Sequence, residues 1–578
     1  KFNSMVESGS QVREGHNLVS NEHFRVFWEI SNHSNYRTLY NGGPFSMFYS
    51  IYRDKTLYGK GANLVKYNKK VTLRNLSFHG LTGVSFGKRG DFIDAHVFKE
   101  DMIFTSEGKA IPDLNYNNSV VTLAFLNSSL VQYVINLYCG QHKHVGYVNI
   151  LPFPELNSQE ISAVTQNTER IIQIKKTNYS YDETNIEYQG LLNRLKDLRN
   201  LKSSVEDLQN NLINDHADYI EALNINDNIW LEASELGSMA NQIIEEKKSN
   251  RPTEKLFFTN YLVEPSVFLS EICKEIIQFS FGIIFRRWKD ESVTEGVGGD
   301  EYIFKGLPNQ PFLVNKKGES SKFNVLSEEF VSNHNGLNKS LFKSLKSFFI
   351  EIGINIDDLG HYQDVDPSFG EIENFINNPS GFFNYHYLRY TKSRREAPIY
   401  WPISTESNSF IVWVYYPKLN ENSLFKIVNE LVEPKLDDIK ELLIDLERAG
   451  TSKELHEQMA LRDELEDFKE ELLRVAQLPY KPNQDDGVLI TAAPLHNLFR
   501  HTKWRKSTEA CWKKLEKGEY DWAHLAYSIW PDRVTNKCKK DLSMAIAHGL
   551  ESICEMKPKE KKSRKKPEIK VETQDKLL

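Results

Sequence analysis

Leu151-Pro152-Phe153-Pro154 separates two different kinds of sequence. Neither proline can sit inside a helix, because each lacks a backbone donor and its ring clashes with the preceding turn, so a boundary falls here. Just upstream, Val120 to Tyr138 carries apolar residues at helical spacing. Further back to Val19, aromatic and β-branched residues are interrupted by Tyr40-Asn41-Gly42-Gly43-Pro44 and Gly59-Lys60-Gly61, the pattern of strands and turns. Downstream, Leu191, Leu198, Val205 and Leu212 recur every seventh residue, with Leu195, Leu201 and Leu208 between them, the apolar seam of a long helix. Such a seam suits a dimer or spacer element, or an arm packed on its own neighbouring helix. Mixed and helical segments in succession predict an α+β chain.

Working outward, residues 1–156 form the mixed α/β region and 157–250 the helical arm. A second mixed domain is expected over 251–417, with aromatic clusters at Phe279 to Trp288 and Phe382 to Trp401. Over 418–477, Leu436, Ile439, Leu443 and Leu446 make one helical stripe and Leu461, Leu465, Phe468 and Leu472 another. The pair reads as an α-hairpin with Gly450 ending the first helix and Thr451 or Ser452 capping the second. Residues 478–556 read as a small Trp-rich helical domain. The tail, 557–578, opens with seven basic residues and one Glu between Lys557 and Lys566 and is expected to be disordered. No internal repeat is evident.

With 578 residues, 40% of them hydrophobic and 26% charged, the chain has the makings of several folded domains. Its apolar runs, such as Phe279 to Phe285, are far short of the roughly 20 residues that span a bilayer, so no membrane partner is expected. Cys139, Cys273, Cys511, Cys538 and Cys554 are odd in number and never spaced as Cys-x-x-Cys, which fits a reducing, cytoplasmic setting and not a disulfide framework or zinc ribbon. The net charge of −7 speaks against a uniformly basic nucleic-acid binder. Acidic residues concentrate in helical stretches such as Asp437 to Glu471, leaving room for a local basic groove.

Several catalytic patterns are missing or imperfect. A methyltransferase that uses S-adenosylmethionine needs a glycine-rich strand-to-helix turn for close backbone approach, and Gly296-Val297-Gly298-Gly299 is embedded in a polar loop instead. Adenine methylation needs Asn or Asp, then Pro-Pro and an aromatic, to bind the amino group and stack on the flipped base. The nearest string, Asp366-Pro367-Ser368-Phe369, reads better as a surface turn. Pro531-Asp532 with Glu555-Met556-Lys557 formally matches a Mg²⁺ nuclease arrangement, and Cys139, His142 and His144 lie close together without a fourth ligand. No cofactor is therefore expected in this chain.

Recognition chemistry remains. Gly87-Lys88-Arg89-Gly90 is a glycine-flanked basic loop able to reach phosphates or guanine edges, although solvated turn charges would look the same. Arg389-Tyr390-Thr391-Lys392-Ser393-Arg394-Arg395 interleaves cations with hydroxyls and an aromatic, a composition suited to a sugar-phosphate strand and equally to a structural cluster paired with acidic helices.

Many strings, in order, resemble the C-terminal halves of the large adenine-specific DNA methyltransferases of BREX and phage-growth-limitation defence systems, and of related type IIG restriction-modification enzymes. They run from Asn21-Glu22-His23-Phe24-Arg25-Val26-Phe27-Trp28-Glu29 and Asn41-Gly42-Gly43-Pro44-Phe45-Ser46, through Gly80 to Ser85, Leu123 to Ser128 and Leu151 to Pro154. Phe281 to Trp288, Ser393-Arg394-Arg395-Glu396-Ala397-Pro398-Ile399-Tyr400-Trp401-Pro402, Asp485 to Val488, Ala493 to Leu495, Gly518 to Ala526 and Ala547 to Glu551 continue the series. The resemblance implies a target-recognition domain over Val19 to Pro154 that reads double-stranded DNA, serving a catalytic domain that carries S-adenosylmethionine and methylates adenine N6. In the family that domain precedes the recognition region, and this sequence opens with Lys1 at about that junction, so the methyltransferase domain is expected in cis or in trans, with other defence-system subunits as further partners. DNA-binding candidates are Arg25, Arg37, Lys66, Arg74, Lys88 and Arg89 in the first region and Arg389, Lys392, Arg394 and Arg395 in the second. A protein-interaction scaffold of a defence complex is the alternative, and a nuclease built on Asp532 a third.

Overall fold

The computed structural model describes residues 2–18, 23–30, 35–58, 66–68, 70–285, 287, 329–334, 336–337, 339–364, 370–392, 395–450 and 452–555. Gly296 to Gly299, Asp366 to Phe369, Arg394 and the basic tail lie outside them.

Strands β1 (Phe24–Val26), β2 (Tyr36–Tyr40), β3 (Asp54–Leu57), β4 (Gly83–Gly87), β5 (His96–Phe98), β6 (Met102–Phe104) and β7 (Gly108–Pro112) build the first region. They make two small sheets, in the orders β1-β3-β2-β6 and β7-β4-β5. All pairings are antiparallel except β2 with β6, where Thr38 faces Met102. Gly83 is fixed by close approach: a Cβ there would lie 2.0 Å from the Ile111 carbonyl across the β4–β7 ladder.

The apolar run after the strands is two helices, α1 (Tyr116–Leu126) and α2 (Ser129–Tyr138), bent by 64°. The break comes from Asn127 and Ser128. Asn127 exchanges side-chain hydrogen bonds with the Ala95 N–H (2.9 Å) and carbonyl (2.8 Å), and Ser128 Oγ accepts from the Val131 N–H. Pro152 and Phe153 then pair with Ser4 and Asn3, and the Asn157/Glu160 capping box starts α3 (Ser158–Tyr179). Among the described residues no single helix is long and apolar enough to cross a membrane.

The apolar seam differs from its expectation at one end. Helix α4 spans Leu201–Ala233, while Leu191–Arg194 and Leu198–Asn200 are 3-10 turns. Asp197 and Asn200 accept hydrogen bonds from the Arg199 and Ser203 N–H groups, which caps first the second turn and then the helix. Leu191, Leu195, Leu201, Val205, Leu208 and Leu212 are all buried, and α4 packs along α3.

Beyond α5 (Ser238–Ser249), the apolar helix α6 (Pro265–Ile284) lies beneath an antiparallel sheet of β8 (Phe330–Ser332), β9 (Tyr400–Ser404) and β10 (Ile411–Tyr415), with β10 in the middle. Phe281 packs on Tyr400 and Trp413 across that junction. Helices α7 (Glu433–Ala449) and α8 (Ser452–Ala476) form the expected hairpin. Gly450 ends α7 in the left-handed region at φ +72°, its N–H bound to the Leu446 carbonyl; Thr451 lies outside the described residues. Short helices including α9 (Thr502–Glu516) follow, around buried Trp504. The α+β class holds, and among the described residues one large apolar cluster runs from Met5 to Ala545, with a smaller one around Tyr40, Phe98 and Phe104 in the first region.

Candidate nucleic-acid interface

Charge is distributed unevenly along the chain. Between Ser31 and Gly90 there are ten Lys and Arg and a single acidic residue, Asp54. The sheets and loops of the first region place the described ones in different settings.

Arg37 is exposed on β2, its Nη1 bound to its neighbour's Tyr36 carbonyl at 3.0 Å. Lys55, opposite Thr38 on β3, donates to Thr38 Oγ1 at 2.8 Å, and that hydroxyl donates to Asp101 at 2.7 Å. Burial holds the Lys55 ammonium below its ordinary pKa against the pull of Asp101, and repulsion from Arg37 adds to the lowering. Lys66 is exposed, 5.6 Å from the Tyr67 ring centre. Arg74 is exposed and paired with Glu14 at 2.6 Å. Its backbone is clamped by two stacked imidazoles: the N–H donates to His16 Nδ1 (3.0 Å) and the carbonyl lies 3.1 Å from His79 Nε2. Burial pushes His16 down to about 3 and His79 to about 4, so both are neutral at physiological pH.

Lys88 and Arg89 share Glu107 at 3.1 and 2.8 Å. Burial raises the pKa of Glu107, but the two cations outweigh it and the net shift is downward. Arg89 remains 72% exposed. The loop is pinned on three sides by backbone bonds, Lys88 N–H to Glu107, Gly90 N–H to Gln141 and Lys143 N–H to the Lys88 carbonyl, with Gly90 at φ +119°. Beneath it, buried Asp94 accepts from the Gly87 N–H at 2.9 Å.

The remaining candidates sit in joints of the fold. Arg25 is buried, donating Nε to the Asp485 carbonyl at 2.8 Å beside the Trp522 ring. Arg389 bridges Asp182 (2.9 Å) and Glu275 (2.8 Å), both buried. Lys392 pairs with Asp54 at 2.9 Å, and Arg395 pairs with Glu29 at 2.9 Å and donates to the Phe24 carbonyl. Lys392 and Arg395 tie the second mixed region to the first, and Arg389 ties it to the helical arm.

Strings far apart in sequence meet in that joint. Glu29, only 2% exposed, also accepts from the Val26 and Val488 N–H groups at 2.8 and 3.1 Å. Trp28 Nε1 donates to the Ala397 carbonyl at 3.0 Å, and Tyr416 Oη to the carbonyls of Glu29 and Gln484. Asp486 accepts from the N–H groups of His524 (2.7 Å) and Leu525 (2.8 Å) and from His524 Nδ1. Burial pulls the His524 pKa down, but Asp486 more than compensates and raises it overall. Gly487, at φ +90°, lets the chain pass Glu29.

Sequence reading missed Asp94, because its bond to Gly87 depends on the β4–β5 fold, and it missed the count of ten cations to one acid, a signal present in the sequence. Among the described residues no group of His, Cys, Asp and Glu could hold a metal ion; Lys557 of the nuclease pattern lies outside them. No protein-family model and no curated protein matches the chain. Twenty-one chains of solved structures do match. They include the Type IIL restriction-modification enzyme MmeI in complex with DNA, at TM-score 0.28 and 11% identity. The match covers 42% of this chain and 36% of that one.

Proposed function

We propose that the chain is the DNA-binding part of an adenine-specific DNA methyltransferase of phage defence or restriction-modification, with residues 1–156 facing duplex DNA. The one-sided charge between Ser31 and Gly90, with Arg37, Lys66, Arg74 and Arg89 exposed, carries the reading. A polyanion gains affinity from such a stretch, since each phosphate neutralised releases counterions. The braced loop around Arg89 suits base-edge or phosphate contact, because its backbone is already ordered and little entropy is lost on binding. Methyl transfer to adenine N6 falls to a partner methyltransferase domain, in cis or in trans, that holds S-adenosylmethionine.

Fluorescence anisotropy with a labelled duplex at several salt concentrations tests this. The logarithm of affinity should fall linearly with the logarithm of salt, and each of Arg37→Ala, Lys66→Ala, Arg74→Ala and Arg89→Ala that removes a phosphate contact should flatten the slope by about one. Salt-independent binding, or slopes unchanged in all four variants, refutes the proposal.

A further inference from the structure

A second surface adjoins the Lys88–Arg89 loop. Arg89 forms an antiparallel backbone bridge with His142, so the segment from Cys139 to His144 runs alongside it. This segment is rigidly held. The buried Lys143 ammonium donates to the carbonyls of Asp91 (3.3 Å) and Gly140 (3.1 Å) and to Asn136 Oδ1 (2.9 Å), while Cys139 Sγ donates to the His142 carbonyl at 2.9 Å.

On this frame four rings face outward. Tyr138 and Tyr147 are 39% and 41% exposed, with centroids 5.7 Å apart and Tyr138 Oη bound to the Tyr147 carbonyl at 3.1 Å. His142 and His144 are exposed, 6.1 Å apart, and His144 lies 6.1 Å from Tyr147. Leu137 and Ile150 in the same segment are exposed as well. From Leu114 to Pro154 the sequence contains no Asp or Glu. The carboxylate that acts electrostatically on Lys143 is Asp91.

From this juxtaposition we infer that Tyr138, His142, His144 and Tyr147 form a stacking platform for unpaired nucleotides, with Arg89 holding the adjoining phosphate. The inference rests on the DNA-binding reading above and specifies the kind of nucleic acid. Rings fixed at the surface offer π faces to any unstacked base, and a cation one backbone bridge away supplies the charge that the flanking phosphate needs. The acid-free stretch adds no carboxylate of its own, and the one beside Arg89, Glu107, is shared with Lys88.

The full chain would be titrated, by anisotropy, against a perfect duplex and the same duplex carrying an internal run of unpaired thymidines. Wild type should bind the interrupted duplex about tenfold tighter, the effect of one well-stacked base. Tyr147→Ala and Tyr138→Ala should lose that gain while keeping wild-type affinity for the perfect duplex, which shows that the fold is intact; Tyr147→Phe should retain it. Tyr147→Leu should lose it, because stacking needs an aromatic face. A wild type that binds both duplexes equally overturns this inference alone, and one that binds neither overturns the DNA-binding reading with it. A gain kept by Tyr147→Leu also overturns it, and marks the patch as an apolar docking surface for a protein segment.

Discussion

Replacing Arg395 by Ala removes one side of an ion pair whose other side, Glu29, stays buried at 2% exposure. Stripping the partner from a buried charge costs about 3–5 kcal/mol in the general case. Two features lower the figure here. Glu29 keeps the Val26 and Val488 N–H groups as donors, and Arg395 itself is 24% exposed, so part of its attraction is already screened by solvent. A loss of about 2–3 kcal/mol is therefore expected. Urea unfolding followed by intrinsic tryptophan fluorescence would report it as a lower midpoint, and Arg37→Ala serves as the control. Arg37 lies exposed on β2, where substitution should change stability by less than about 0.5 kcal/mol but flatten the salt dependence of DNA binding. Arg395→Ala should do the reverse. If Arg395→Ala unfolds like wild type and weakens DNA binding uniformly, the pairing with Glu29 is not what the residue is for, and the joint has been misread.

Other perturbations follow from the same geometry. Val205→Asp places a charge in the buried seam of α4 and should cost several kcal/mol; an unchanged thermal midpoint would mean that the seam is not packed. Burial pushes Asp94 up to about 7, the Gly87 N–H opposing and Glu254 adding to the rise. The folded state thus holds a proton that the unfolded chain releases near pH 4, so the contribution of Asp94 to stability should fall by about 4 kcal/mol as pH rises from 4 to 7. Asp94→Asn, which preserves an acceptor for Gly87, should flatten that part of the pH profile; a profile identical to wild type contradicts it. Asp486→Ala leaves the His524 and Leu525 N–H groups without their acceptor and should cost about 1–2 kcal/mol, with the His524 pKa, followed by NMR, moving down.

What the sequence disclosed tracks the range of the interactions concerned. The α7–α8 hairpin was legible because Leu436, Ile439, Leu443 and Leu446 repeat locally and Gly450 marks the turn. The seam was legible from Leu201 onward, but its first members misled: Leu191 is buried in a 3-10 turn and Leu195 just after it, and a seven-residue recurrence cannot distinguish a buried turn from a helix. Val120 to Tyr138 hid a 64° bend because the partner of Asn127 is Ala95, on another element. The basic string Arg389 to Arg395 was ambiguous for the same reason. Its partners Glu29, Asp54, Asp182 and Glu275 lie more than a hundred residues away, so composition alone offered both a phosphate grip and a structural clasp, and the geometry shows Arg389, Lys392 and Arg395 engaged with carboxylates.

The most direct test of the account is to locate the DNA on the protein. Photo-crosslinking to a duplex carrying 5-bromodeoxyuridine, followed by peptide mass spectrometry, should place the adducts between residues 35 and 90, around Arg37, Lys66, Arg74 and Arg89. Adducts confined to the acidic hairpin from Glu433 to Ala476, or a full chain that forms none while binding the duplex, would contradict the claim that the first mixed region faces the DNA.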